Sequence, residues 1–205
     1  MAILMYDDIR ERLSESNEDQ KLYLTPLLSE SQIGQASIDV RLSNDFIITK
    51  SSNIESMDPT KTDEMEKNIG QYQERVCVGF GEPFVIHPNH LVLGSTLEYI
   101  SMPQDLIAQV QGRSSWGRLG LIVATASTIM PGFKGSITLE LINSGLVPLI
   151  VYPGTLIAQL IFAQTTRSVD YKGRYRCPTG PEFTKVHRDK ELEFLGDPAH
   201  FKAPL

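Results

Sequence analysis

Leu106-Ile107-Ala108-Gln109-Val110, Leu121-Ile122-Val123, Ile137-Thr138-Leu139-Glu140-Leu141-Ile142 and Leu156-Ile157-Ala158-Gln159-Leu160-Ile161-Phe162 are short, apolar and rich in β-branched residues, with Gly, Pro or Asn around them. Phe84–Ile86, Leu91–Leu93 and Leu149–Val151 repeat the pattern. Each run has the length and punctuation of a strand, and no long helical pattern interrupts them between Val76 and Gln164. The region therefore predicts a mainly β fold, a closed barrel or jelly-roll.

Outward from this core, residues 7–15, with Asp7, Ile9 and Leu13, predict a short amphipathic N-terminal helix with acids in its first turn. Pro26 to Gly34 reads as a loop, and Ser37-Ile38-Asp39-Val40-Arg41-Leu42 alternates like a half-buried strand. Residues 51–74 are polar and read as a surface excursion with a short helix near Thr62 to Asn68. After Thr165 the strand pattern stops. The expected organisation is one β domain over 1–166 and a tail over 167–205, which needs a partner surface or a ligand to stay ordered.

The chain has 205 residues, 41% hydrophobic and 21% charged, as a folded domain requires. It lacks the ~18 to 20 uninterrupted apolar residues of a membrane span. Its start runs from Met5 straight to Asp7 and Asp8, unlike a secretory leader, so the expectation is a cytoplasmic protein with no membrane partner. Residues 1–75 carry 15 acids against 8 bases, residues 76–166 carry 4 against 3, and residues 167–205 carry 6 against 8. A net charge of -6 disfavours a nucleic-acid surface. The basic run Arg167, Lys172, Arg174 and Arg176 reads either as a solvated tail or as a contact for something small and anionic. Cys77 and Cys177 form no disulfide framework. The zinc-deaminase signature, HExxH, a Walker A loop and GxGxxG are all absent.

Only seven formal charges fall within residues 76–166, and three of them are informative. Gly112-Arg113-Ser114-Ser115-Trp116-Gly117-Arg118 gathers two guanidinium groups, two hydroxyls and loop amides in one turn. That inventory can hold a polyphosphate, or it can be a Gly-bounded turn with surface arginines. Glu140 stands mid-strand on the face opposite Leu139 and Leu141, either as a solvated carboxylate or as a buried one held ionised by Arg113 or Arg118. In the second case it is suited to act as a general base on water. Thr125 to Gly135 is a small-residue segment ending in a Pro-Gly turn with Phe133 after it; it is a hairpin connection or a place for a base and sugar to stack.

Together these residues resemble the dCTP deaminases of the trimeric dUTPase-like superfamily. The resemblance rests on Ala36 to Leu42, on GRSSWGRLG at Gly112–Gly120, on PGFKG at Pro131–Gly135 with TLEL at Thr138–Leu141, and on Pro153-Gly154 with Ile157-Ala158-Gln159-Leu160. It covers about residues 5–185, apart from 51–74. It implies a dUTPase-like β-barrel or jelly-roll that converts dCTP, or a related cytosine nucleotide, to dUTP and ammonia without zinc. Glu140 would be the general base, with Ser114 and Arg118 orienting the water and Glu140. Arg113, Ser115, Ala126, Phe133, Thr138, Leu139, Gln159, Tyr171 and Arg174 would bind the nucleotide, Thr138 and Leu139 through their backbone. Mg²⁺ would arrive on the triphosphate with no protein metal ligands. The family's sites lie between subunits of a homotrimer, and its tail closes over the nucleotide.

Three features depart from the family pattern. Met130 replaces the Asp usual before the Pro-Gly turn, and a thioether neither accepts a strong hydrogen bond nor acts as a base. The segment from Leu121 to Thr125 is one residue short, and Asp170 and Arg174 stand where Lys and Gln are common. Met130 weighs more against diphosphatase chemistry than against deamination. The order of expectation is thus a dCTP deaminase first, a dUTP-type pyrophosphohydrolase or bifunctional enzyme second, and a non-catalytic nucleotide-binding relative third.

Overall fold

A computed structural model of the chain describes residues 2–125, 128–169 and 171–194. It opens with helix α1 (Tyr6–Ser14), then strands β1 (Tyr23–Thr25), β2 (Ile38–Arg41) and β3 (Asp45–Thr49). The polar excursion carries helix α2 (Thr62–Tyr72) and leads into β4 (Gln73–Cys77), β5 (Phe84–Ile86), β6 (Leu91–Ser95), β7 (Tyr99–Ser101) and β8 (Leu106–Gly112). The single-turn helix α3 (Ser114–Gly117) precedes β9 (Leu121–Val123), β10 (Thr128–Ile129), β11 (Lys134–Gly135), β12 (Thr138–Asn143), β13 (Leu149–Val151) and β14 (Leu156–Gln164). The mainly β expectation and the N-terminal helix are both met. Among the described residues no helix is long and apolar enough to cross a membrane.

The strands form antiparallel sheets ordered β10-β8-β14-β2, β4-β3-β6-β12-β9, β1-β7-β11 and β13-β5. Side chains alternate across each strand, so one face of β12 sends Leu139, Leu141 and Asn143 into the core while Thr138, Glu140 and Ile142 face the other way. From β2 and β14, Val40, Leu160 and Phe162 complete that core, all fully buried. Asn143 is buried too, and its amide donates to the Ile86 and Val147 carbonyls and accepts from the Gly145 amide. It thereby joins β12 to β5 and to the turn that follows.

Helix α2 extends four residues beyond the expected Asn68, because Met65 and Ile69 are spaced one turn apart and both are buried. Strands β3 and β4 were not legible as a pair: β4 reads Gln-Glu-Arg-Val-Cys, which is polar, yet five residues pair in register with Asp45–Thr49. A neighbouring strand supplied the partner that composition did not advertise.

Glu98 is 1% exposed, bonded by the Arg41 amide and guanidinium and by the Gln32 amide group. Burial pushes its carboxyl above the usual glutamate range, outweighing the Arg41 contacts that pull it down. The folded state then holds this proton more tightly than the unfolded chain does. Its contribution to stability is full below the unfolded pKa and is lost as pH rises through the folded one. In urea unfolding at a series of pH values, the stability of the native protein relative to Glu98→Gln is expected to fall as pH rises from about 4 to neutrality. A flat difference would remove Glu98 as the source.

Candidate active site

A cavity of about 410 Å³ opens on the face of the five-stranded sheet that carries Glu140. Its floor is Leu91, Leu93, Thr138 and Glu140, and one wall is Thr125, Thr128, Ile129, Met130 and Phe133. β12 is hydrogen-bonded on both edges, to β6 and to β9, so the backbone under Glu140 is fixed. The Glu140 amide donates to Thr125 Oγ1 at 3.0 Å and its carbonyl accepts from the Ala124 amide at 2.8 Å. The result is a half-buried carboxylate on a rigid strand inside an apolar-walled cavity, the placement a general base requires.

The tail forms the remaining wall. Tyr171, Tyr175, Pro178, Glu182 and Thr184 line the cavity. The Pro178 carbonyl accepts from the Ser136 amide, the Glu182 amide donates to Thr138 Oγ1, and Arg75 donates to the Pro181 carbonyl. Beyond the cavity a 3₁₀ turn, Val186–Arg188, packs on α2, where Glu66 pairs with His187 at 3.2 Å and with Arg188 at 3.0 Å. The polar excursion thus serves as a dock for the tail of its own chain. Burial pushes the Tyr171 phenol above its ordinary pKa, and the hydroxyl bonds the Tyr175 carbonyl.

The residues singled out in the sequence divide between two places. Glu140, Phe133, Thr138 and Tyr171 line the cavity. Phe133 is 9% exposed and meets Tyr171 edge-on at 5.6 Å, so it braces the tail more than it offers a ring face. Leu139 is fully buried in the core, leaving only its backbone beside the cavity. Arg113, Ser114, Ser115 and Arg118 lie elsewhere, on the loop around α3, which packs against β9. There Arg113 pairs with Asp39 at 3.6 Å, and Gln159 sits opposite Asp39 and Gln111 in register, so these polar side chains share one outer face of the four-stranded sheet. Trp116 Nε1 donates to the Leu156 carbonyl and moors the loop to β14. Within one chain Arg113 takes Asp39 as a partner.

Arg174 is engaged inside the tail, by Asp189 and by the Lys185 carbonyl. Met130 lines the cavity with half its surface exposed. Ala126 and Asp170 fall outside the described residues. Gln73, Tyr175, Glu182 and Thr184 were missed, because nothing in a one-dimensional pattern tells that a tail and an excursion fold back onto one sheet.

Gly135 is where the tail comes closest. Its φ is +145°, and a Cβ there would sit 2.4–2.9 Å from Pro178. Gly135→Ala is expected to introduce strain on the order of 1–3 kcal/mol and to lift the tail, so that trypsin cleaves at Arg174, Arg176 and Lys185 faster than in the parent. Unchanged tail protection would show that the Pro178 contact does not hold the tail.

With this geometry in place, likeness to known proteins gains structural content. The chain is 39% identical over 94% of its length to a protein of Methanobrevibacter smithii named dCTP deaminase, dUMP-forming, covering all of that protein. It is 40% identical over 95% of its length to a dCTP deaminase of Natronomonas pharaonis, covering 99% of it. The fold is similar to the crystal structure of 2'-deoxycytidine 5'-triphosphate deaminase from Agrobacterium tumefaciens, with TM-score 0.58 and 22% identity over 78% of this chain and 46% of that one. Residues 3–165 match the profile of the DCD, or dCTP deaminase-like, domain, and the chain belongs to that family.

Proposed function

We propose that the chain catalyses hydrolytic deamination of dCTP to dUTP and ammonia, without protein-bound zinc and with Glu140 as general base. The observation that carries the reading is a carboxylate held on a doubly paired strand inside the cavity, in a chain of this family. Glu140 takes a proton from water as the oxygen attacks C4 of cytosine, and ring N3 is protonated as the C4–N3 double bond opens. The second water proton passes to the 4-amino group, the C–N bond breaks as the C4=O bond forms, N3 keeps its proton, and ammonia leaves a 4-oxo pyrimidine. The apolar walls strengthen each of these electrostatic steps by limiting water.

Ser114 and Arg118 orient the attacking water from a second copy of the chain, because in one chain their loop does not border the Glu140 cavity. This division supports the homotrimer with sites between subunits. Arg113, Ser115 and Gln159 take the triphosphate, with Arg113 exchanging Asp39 for phosphate oxygens. Mg²⁺ enters as part of the nucleotide substrate, and Ala126 and Arg174 keep their nucleotide-binding assignment in this reading.

A second reading, formation of dUMP and pyrophosphate, is favoured by the names of several relatives, among them the Methanobrevibacter smithii protein. Met130 argues for the first, since its thioether cannot activate a hydrolytic water. Incubation with Mg²⁺ and dCTP, ion-exchange separation of products and an ammonia assay decide: dUTP with ammonia supports deamination alone, dUMP with pyrophosphate replaces it with the bifunctional reading, and binding with neither product leaves a non-catalytic relative.

Glu140→Gln is expected to lower turnover by about 10² to 10⁴ while retaining nucleotide affinity; full activity would remove Glu140 from the mechanism. Arg113→Ala is expected to weaken triphosphate binding and to flatten its dependence on salt, measured by titration at two ionic strengths. Unaltered affinity at both would sink the phosphate assignment.

A further inference from the structure

Polar groups in the wall of the Glu140 cavity are largely engaged within the protein. Thr125 Oγ1 accepts from the Glu140 amide, Thr138 Oγ1 accepts from the Glu182 amide, and the Ser136 hydroxyl donates to the Pro178 carbonyl. The Tyr171 hydroxyl donates to the Tyr175 carbonyl, and Glu182 pairs with Lys185. Gln73 differs. Its Oε1 is buried in this same cavity wall with no hydrogen-bond donor among the described residues.

The backbone of Gln73 has a clear structural duty that leaves the side chain unexplained. Its N–H caps α2 on the Ile69 carbonyl, and the residue starts β4 opposite Thr49. A buried acceptor without a donor costs free energy, and natural structures carry few of them. One that lines a ligand cavity points to a donor that the ligand brings.

This step rests on the proposed deaminase reading, in which the ligand is dCTP. That molecule has few donors: the triphosphate offers none at neutral pH, cytosine offers its 4-amino group, and deoxyribose offers its 3'-hydroxyl. The amino group sits on the carbon where Glu140 acts. Gln73 is on β4, three strands from β12 in the order β4-β3-β6-β12, which separates the backbones by roughly 14 Å. Leu91 and Leu93 form the cavity floor on β6, one of the two strands between. The acceptor therefore stands at the end of the floor remote from the reacting carbon. We propose that Gln73 accepts a hydrogen bond from the 3'-hydroxyl of the nucleotide and makes the cavity selective for a free 3'-hydroxyl.

The test compares binding of dCTP and 2',3'-dideoxycytidine triphosphate by calorimetry, using the full chain carrying Glu140→Gln so that turnover of both nucleotides is slowed during the titration. The parent is expected to bind dCTP about three- to tenfold more tightly than the dideoxy compound. Adding Gln73→Met should bring that ratio close to one, and Gln73→Leu repeats the test with a second apolar side chain. Without ligand, the thermal midpoint of the Gln73→Met protein should equal or exceed that of its parent, because an orphaned acceptor has been removed. A merely structural residue would lower the midpoint and weaken both nucleotides alike. Equal binding of the two nucleotides by the parent, or a ratio that survives both substitutions, overturns the assignment. Ammonia release from dCTP by the unaltered chain tests the deaminase reading separately.

Discussion

Strand β12 is hydrogen-bonded along both edges, and its side chains alternate with a period of two. Everything else follows from that constraint. Leu139 and Leu141 must enter the core, so Glu140 must leave it on the opposite face, and a one-residue slip would exchange the two. The strand is also locked from its end by Asn143, whose buried amide spends its donors on Ile86 and Val147 and its acceptor on Gly145. The backbone that carries the carboxylate is therefore fixed on both sides.

The cavity around Glu140 is built by layering a polar, poorly patterned segment over a well-patterned one. The barrel supplies the floor, and the tail, carried past Gly135 and bonded to Thr138 and Arg75, supplies a wall. The clasp of Glu66 with His187 and Arg188 ties this wall to α2. The exposed Glu66–Arg188 pair contributes little by itself, so the tail is held by the sum of backbone hydrogen bonds and by Pro178 packed against Gly135.

The two groups of candidate residues have different physical characters. Those in the cavity are a carboxylate, hydroxyls and aromatic rings among aliphatic side chains. Those on the outer face around the α3 loop are guanidinium groups, hydroxyls and amides on the water-facing side of the sheet. Asp39 holds Arg113 there, so its charge is compensated within the chain.

The sequence by itself determined the strands with strong alternation or continuous apolar character, since local side-chain chemistry decides those. It also marked Glu140, because a lone carboxylate between Leu139 and Leu141 has one face available to it, and it marked the GRSSWGRLG loop by its concentration of donors. Tertiary structure alone decided the rest. β4 is polar and became a strand because β3 offered an edge, and Gln73 reached the cavity wall because α2 ends where β4 begins. Arg113 meets Asp39 because β2 and β8 flank β14, which brings distant parts of the chain onto one face. Contacts of this kind depend on the order of strands in a sheet, and strand order is a property of the folded chain that no local pattern encodes.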